Sequence, residues 1–194
     1  EQQVLAQLGG AARVSLCQLH GIERDPLAVQ AASVALELAR LQAAPGLLPE
    51  TAHLQVANAL ETDWHAVLPK PDRWTFIVGN PPFAGKKEQS PAQKSDMQRV
   101  WVDTPGTGVL DYVTAWIRRT AQLVRGTEAT AALVTTSSVV QGEQVGALWR
   151  GLRADGPVHL RFAHAPFSWT ADATVHVVVL GLGAHPATPP VLYD

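Results

Sequence analysis

Trp74-Thr75-Phe76-Ile77-Val78 runs directly into Gly79-Asn80-Pro81-Pro82-Phe83. The first five residues are aromatic, β-branched or threonine, the composition of a strand. The two prolines then fix two successive φ angles and carry no N–H, so the strand must end there in a stiff corner. Working outward, the same alternation of apolar run, turn and helix recurs on both sides. Residues 14–23 read as a strand, closed by Asp25-Pro26, an N-cap with proline at the first helical position. An Ala/Leu-rich helix over 27–42 follows, stopped by Pro45-Gly46, and then a second strand over 53–57. Beyond the corner, 84–108 is rich in Lys, Gln, Ser, Pro and Gly and reads as a long loop. Leu110, Val113, Ile117, Ala121 and Val124 recur at helical spacing, which predicts an amphipathic helix over 110–125. A strand over 129–135, a helix over 142–153 and strands over 159–163 and 175–182 complete the pattern. The last strand is almost wholly apolar, as a strand covered on both faces must be. Strands alternating with helices predict an α/β fold, a doubly wound and mostly parallel sheet. Ligands in such sheets sit beyond the carboxyl ends of the strands.

Composition narrows the function. Of 194 residues, 46% are apolar, enough for a sizeable core and too many for a disordered chain. Fifteen basic and 17 acidic residues leave a net charge of −2, which argues against a binder that relies on its own positive charge to neutralise phosphates. The single cysteine, Cys17, excludes an internal disulfide framework and a Cys-cluster zinc site, and the seven histidines share no metal-ligand spacing. No membrane-spanning run and no signal peptide is evident, so the chain reads as cytoplasmic and globular. It begins at Glu1, with Val4, Leu5 and Leu8 resembling the end of a helix, and reads as a piece of a longer polypeptide.

The residues after each strand carry the chemistry. Glu23 ends the first strand, where a carboxylate can accept both hydroxyls of a ribose; it could equally be an ordinary polar strand end or a partner for Arg24. Asn58-Ala59-Leu60 follows the second strand. There an amide could meet an adenine edge and Leu60 could form an apolar wall, or Asn58 could simply make a turn. At Asn80-Pro81-Pro82-Phe83 the Asn80 side-chain oxygen and the Pro81 carbonyl can point at one spot, with the Phe83 ring beside it to stack on a flat base. An amino group held there by two hydrogen bonds keeps its nitrogen lone pair available for an electrophilic methyl group. Alignment and electrostatics suffice, without a covalent intermediate. Lys86, Lys87, Lys94 and Arg99 make the following loop basic, suited to DNA phosphates or to plain solvation. The scattered Trp64, Trp74, Trp101, Trp116 and Trp149 read as core or interface, and Trp169 as core or as a helper in rotating a base out of its stack. Ser137-Ser138 has no nucleophile elbow.

Gly79-Asn80-Pro81-Pro82-Phe83 resembles the catalytic motif of the S-adenosyl-L-methionine-dependent N6-adenine DNA methyltransferases. Gly21-Ile22-Glu23-Arg24-Asp25 resembles that family's ribose-binding strand end, and Asn58-Ala59-Leu60 its adenine-binding segment, where an acidic residue often stands. Leu110-Asp111-Tyr112-Val113, Gln141-Gly142-Glu143-Gln144-Val145 and Phe167-Ser168-Trp169 are closer still to the MmeI-like branch, in which one polypeptide joins nuclease, methyltransferase and target-recognition domains. Ser137 stands where that family often has asparagine. The resemblance spans about residues 14–182.

It implies a Rossmann-like methyltransferase sheet lacking its first strand, with residues 1–194 a partial catalytic domain. Glu23, Asn58, Ala59 and Leu60 would hold the cofactor; Asn80, Pro81, Pro82 and Phe83 would serve the target amino group. Phe83 and Phe167 would stack on the target base, which must leave the DNA stack to reach them. The implied partners are double-stranded DNA and the missing N-terminal and target-recognition segments of the same polypeptide. The family's glycine-rich cofactor loop matches nothing between Glu1 and Gly21, so this piece alone is expected to bind cofactor weakly and to be inactive. Asn-Pro-Pro with an aromatic residue also occurs in methyltransferases of protein glutamine amides and of ribosomal RNA guanine. A truncated, non-catalytic remnant is a further alternative.

Overall fold

The computed structural model describes residues 14–43, 50–169 and 176–194, in a chain that divides into two compact units, Glu1–Pro69 and Lys70–Asp194. In the first unit, β1 (His20–Glu23) and β2 (His53–Val56) pair in parallel, from His20 opposite His53 to Glu23 opposite Val56. Parallel neighbours need a crossover, and α1 (Pro26–Ala43) supplies it. It starts as the sequence predicts, with Pro26 at the first position and Asp25 Oδ1 accepting the Leu27 N–H at 2.9 Å. The strand expected over 14–23 is shorter than predicted. A 3-10 turn, Leu16–Gln18, takes its first half. Local polar acceptors there outcompete a strand ladder: Gln18 Oε1 takes the Ser15 N–H at 2.8 Å and Glu50 Oε2 takes the Leu16 N–H at 3.0 Å. A single-turn helix, α2 (Trp64–Val67), follows β2 and is capped by Asp63.

The second unit holds a six-stranded sheet in the order β3-β4-β7-β5-β8, with β6 also paired to β7. Its strands are β3 (Phe76–Gly79), β4 (Thr130–Thr136), β5 (His159–His164), β6 (Phe167–Ser168), β7 (His176–Gly183) and β8 (Val191–Tyr193). β3 runs parallel to β4 and β8 to β5, whereas β7 is antiparallel to β4, β5 and β6. One strand, β7, is therefore reversed in a sheet whose other described strands share a direction. The α/β fold and the mostly parallel sheet agree with the sequence pattern; the antiparallel wedge and the short edge strand β8 were not anticipated. β3 is an edge strand, paired among the described residues with β4 alone, and its Phe76 and Val78 are exposed.

Burial explains the rest. Val177, Val178, Leu180 and Leu182 of β7 are each at most 1% exposed, so both faces of that strand are covered, as its apolar run predicts. β4 alternates, with Ala131, Leu133 and Thr135 buried. Leu110, Val113, Ile117, Ala121 and Val124, the predicted apolar stripe, are all buried, although α4 itself (Thr114–Val124) begins later than the expected residue 110. α5 (Gln144–Ala154) buries Ala147, Leu148 and Leu152.

The expected loop over 84–108 is interrupted by a ten-residue helix, α3 (Pro91–Val100). Ser90 caps it, accepting the Gln93 N–H at 3.2 Å while Gln93 Oε1 takes the Ser90 N–H at 2.8 Å. The signal was present as Ser-Pro followed by a capping-box glutamine. Polar composition hid it, because only Met97, Val100 and Trp101 turn inward as apolar anchors.

Gly181 pairs with Phe162 across β7 and β5, and a Cβ at 181 would lie 2.2 Å from the Phe162 ring. Gly181→Ala therefore lowers stability by about 1–3 kcal/mol through overpacking, read as a lower urea midpoint. Gly146→Ala on α5, where a Cβ would meet only the Arg150 guanidinium at 3.9 Å, an ordinary contact, shifts the midpoint the other way by about 0.5–1 kcal/mol of helix propensity.

Candidate active site

In the first unit, Glu23 and Asn58 stand just past the carboxyl ends of neighbouring parallel strands, joined by a hydrogen bond from the Ala57 N–H to the Glu23 carbonyl at 2.9 Å. The Glu23 side chain is exposed. One carboxylate oxygen accepts the Asp25 N–H at 2.9 Å, and the other has no partner among the described residues. It can therefore still receive hydroxyl donors such as those of a ribose. Asn58 is more committed: its Oδ1 accepts the Leu60 N–H at 3.0 Å, forming the turn, and its carbonyl accepts the Glu61 and Thr62 N–H groups. Ala59 is half-buried, and its carbonyl is held by the Trp64 indole N–H at 2.8 Å. Leu60 is fully buried, so the apolar wall expected of it is closed to solvent in this structure.

In the second unit, the Pro-Pro corner lies at the carboxyl end of β3. Gly79 brings that end close to β4; a Cβ there would lie 3.1 Å from Leu133 Cδ2. Asn80 is exposed, and no side-chain hydrogen bond holds its amide among the described residues. Pro81 is buried, Pro82 exposed and Phe83 half-buried. The corner is thus anchored by one proline and open at the amide and the ring.

The segment from Ala84 onward is tied down at several points. The Ala84 carbonyl accepts the Tyr112 N–H at 2.9 Å, and the Lys86 N–H donates to Asp111 Oδ1 at 2.9 Å. Gln89 Nε2 donates to the Leu110 carbonyl at 2.9 Å, and the Tyr112 hydroxyl donates to the buried Asp96 at 2.7 Å. Lys86 Nζ, one of the basic loop positions, forms an ion pair with Glu143.

Phe167 lies at the same end of this sheet. It pairs with Val177 of β7, which also pairs with Thr136 of β4, while Gly79 sits opposite Leu133 of β4. The main chains of β3 and β6 are three strand spacings apart, roughly 14 Å, a gap that only side chains can narrow. Phe167 is 39% exposed, with edge-on His164 and tilted Trp169 rings each at 6.5 Å. Trp169, for which the sequence favoured a place in the core, is 46% exposed, in the bend that follows β6. Trp74 is also exposed, with the Arg73 guanidinium 5.1 Å from its ring centroid, whereas Trp101 is buried. Among the described residues, no group of three or more His, Cys, Asp or Glu could hold a metal ion.

The α/β sheet, with an open Asn-Pro-Pro-Phe corner at the carboxyl end of β3, is that of a methyltransferase domain. The chain belongs to the family described as the MmeI DNA-methyltransferase domain, which matches residues 1–194. It is 33% identical to DNA methyltransferase A of Bacillus subtilis strain 168, over 94% of this chain and 23% of that protein. Among solved structures, it resembles the type IIL restriction–modification enzyme MmeI in complex with DNA, at 34% identity and a TM-score of 0.81, over 94% of this chain and 27% of that one. The chain thus spans about a quarter of the length of each of these relatives. A Listeria monocytogenes protein assigned to the class I S-adenosylmethionine-dependent methyltransferases shares the fold at 13% identity, with a TM-score of 0.55 over 98% of this chain and 53% of that one.

Sequence reasoning missed the meeting of Ser138 and Gln144 on the Asp111 carboxylate. The turn at Asn58 separates two functions of one side chain. Asn58→Asp keeps an acceptor for the Leu60 N–H and leaves the urea midpoint nearly unchanged. Asn58→Ala loses the acceptor and about 1 kcal/mol.

Proposed function

We propose that this domain transfers a methyl group from S-adenosyl-L-methionine to the N6 amino group of adenine in double-stranded DNA, within a restriction–modification polypeptide working in the cytoplasm. The observation that carries this reading is the exposed Asn80 amide beside Pro81, Pro82 and the half-buried Phe83 ring, at the carboxyl end of an α/β strand. The family supports the DNA substrate, and the related MmeI structure is described in complex with DNA.

Asn80 Oδ1 and the Pro81 carbonyl accept the two N–H bonds of the target amino group. That draws its lone pair out of conjugation with the ring and toward the donor. Pro81 and Pro82 hold both acceptors at fixed φ, so little freedom is lost when the base arrives. Phe83 stacks on one face of the extruded base and Phe167 packs on the other. Glu23 fits the ribose of the cofactor, because one of its oxygens is free to accept hydroxyls. Asn58, Ala59 and Leu60 are assigned to the adenine end, with Asn58 acting through whatever its turn leaves available. When bound, S-adenosyl-L-methionine supplies the electrophilic methyl group.

Asn80→Ala in the full-length protein removes an acceptor from the developing charge. Such losses cost about 10²–10³-fold or more in rate, with stability within about 0.5 kcal/mol of wild type because the side chain is exposed. N6-methyladenine in plasmid DNA, quantified by mass spectrometry of nucleosides, checks this. Methylated glutamine in peptides or methylated guanine in ribosomal RNA, with no N6-methyladenine, would instead assign the corner to another planar nitrogen. The 194-residue chain alone, which has no strand followed by a glycine-rich turn in its sequence before Gly21, is expected to bind the cofactor more weakly than micromolar; calorimetry tests this directly.

A further inference from the structure

Buried Pro81 packs the corner, but neither Pro81 nor Pro82 has an N–H to give to the scaffold. Hydrogen-bonded anchorage on the far side of the corner comes from the residues after Phe83, and there one carboxylate collects three donors. Asp111 Oδ1 accepts the Lys86 N–H at 2.9 Å, and Oδ2 accepts the Ser138 hydroxyl at 2.6 Å and Gln144 Nε2 at 2.8 Å. The Asp111 N–H in turn donates to Gln144 Oε1 at 3.1 Å, so Gln144 bonds to both the backbone and the side chain of that residue. Ser138 gives its one proton to Asp111, and the Thr136 hydroxyl at the end of β4 then donates to Ser138 Oγ at 2.7 Å. Asp111 thus ties the segment after Phe83 to the end of β4 and to the first turn of α5.

The helix that follows donates to the Asp111 carbonyl, which accepts the Thr114 N–H at 3.0 Å, but makes no use of the carboxylate. Asp111 lies just ahead of α4, where a carboxylate commonly caps exposed N–H groups, yet the cap residue of α4 is Val113 and no side chain caps it. The carboxylate is turned instead toward residues 84–88. We propose that Asp111 is a positioning residue for methyl transfer: resting on the function proposed above, it fixes Phe83 and the Asn80 corner in register with the sheet by holding the Lys86 amide against Ser138 and Gln144.

Phe83 then has fixed backbone on both sides. Pro82 precedes it, and the Ala84 carbonyl, bound to the Tyr112 N–H, and the Lys86 amide come after it. Misplacing reacting groups by about 1 Å can cost 10²-fold in rate. Loss of the clip should therefore appear in turnover rather than in affinity.

The test uses the full-length protein, wild type beside Asp111→Asn and Asp111→Ala. The asparagine keeps one oxygen for the Lys86 N–H but offers an NH2 where Ser138 and Gln144 need an acceptor, so its effect falls between wild type and alanine. Per folded molecule, Asp111→Ala is expected to lower kcat for plasmid DNA by about 30–100-fold, with KM for DNA and the dissociation constant for S-adenosyl-L-methionine within about threefold of wild type. Hydrogen–deuterium exchange over residues 84–88, read without any substrate, should quicken at least about tenfold, the amide having lost its acceptor. Unchanged exchange at 84–88 overturns the proposal. So does a rate loss that tracks only the fraction unfolded, or one confined to KM. Because the exchange arm needs no DNA, a failed clip is told apart from a wrong substrate, which shows instead as a wild-type protein that methylates no adenine.

Discussion

Two adjacent prolines make a stiff corner but forfeit the hydrogen bonds by which a backbone normally fastens itself to its neighbours. Everything useful about Asn80 and Phe83 depends on replacing that lost anchorage. The chain does so with three consecutive residues, Leu110, Asp111 and Tyr112. Between them they bind the Gln89 side chain, the Lys86 amide, the Ala84 carbonyl and the Asp96 carboxylate. The segment from 84 to 96 is therefore ordered by a strip lying just before a buried helix, and rigidity at the corner is borrowed from the core beneath α4.

The sheet supplies the second condition, a shared level for groups far apart in sequence. Register across β3, β4, β7 and β6 brings the corner and Phe167 to one end, although they are separated by most of the second unit's length. Asn80 is exposed while Pro81 is buried, so the amide is solvent-accessible and its support is not. This division suits chemistry that works by alignment.

Much of this was legible in advance. Apolar periodicity located six of the eight described strands, missing the short β6 and β8, and the stripe Leu110, Val113, Ile117, Ala121 and Val124 is buried as its spacing demands. The corner was legible as structure because two prolines after an apolar run must end the strand. Errors fell where local polar interactions decide structure. Gln18 and Glu50 turned part of an expected strand into a 3-10 turn, and Ser90 with Gln93 started a helix inside what composition presented as a loop. Trp169 is exposed because hydrophobicity says nothing about whether the bend after a two-residue strand will be covered. The gathering of Ser138 and Gln144 on Asp111 was invisible for a different reason: it joins residues about thirty positions apart, and no spacing rule encodes such a meeting.

The reversed strand β7 has a further bearing, on how the chain acquires its shape. β4 and β5 do not pair with each other; each pairs with β7, which comes after both. Thr130 meets Gly183, about fifty residues later, so the contacts that unite the sheet are distant ones, which form slowly. During synthesis, β4 waits with an open edge until residues 176–183 have left the ribosome. A nascent chain halted before that point exposes the apolar flank of Ala131 and Leu133 to chaperones and to its own copies, and the sheet that carries the Asn80 corner is completed only once β7 has paired.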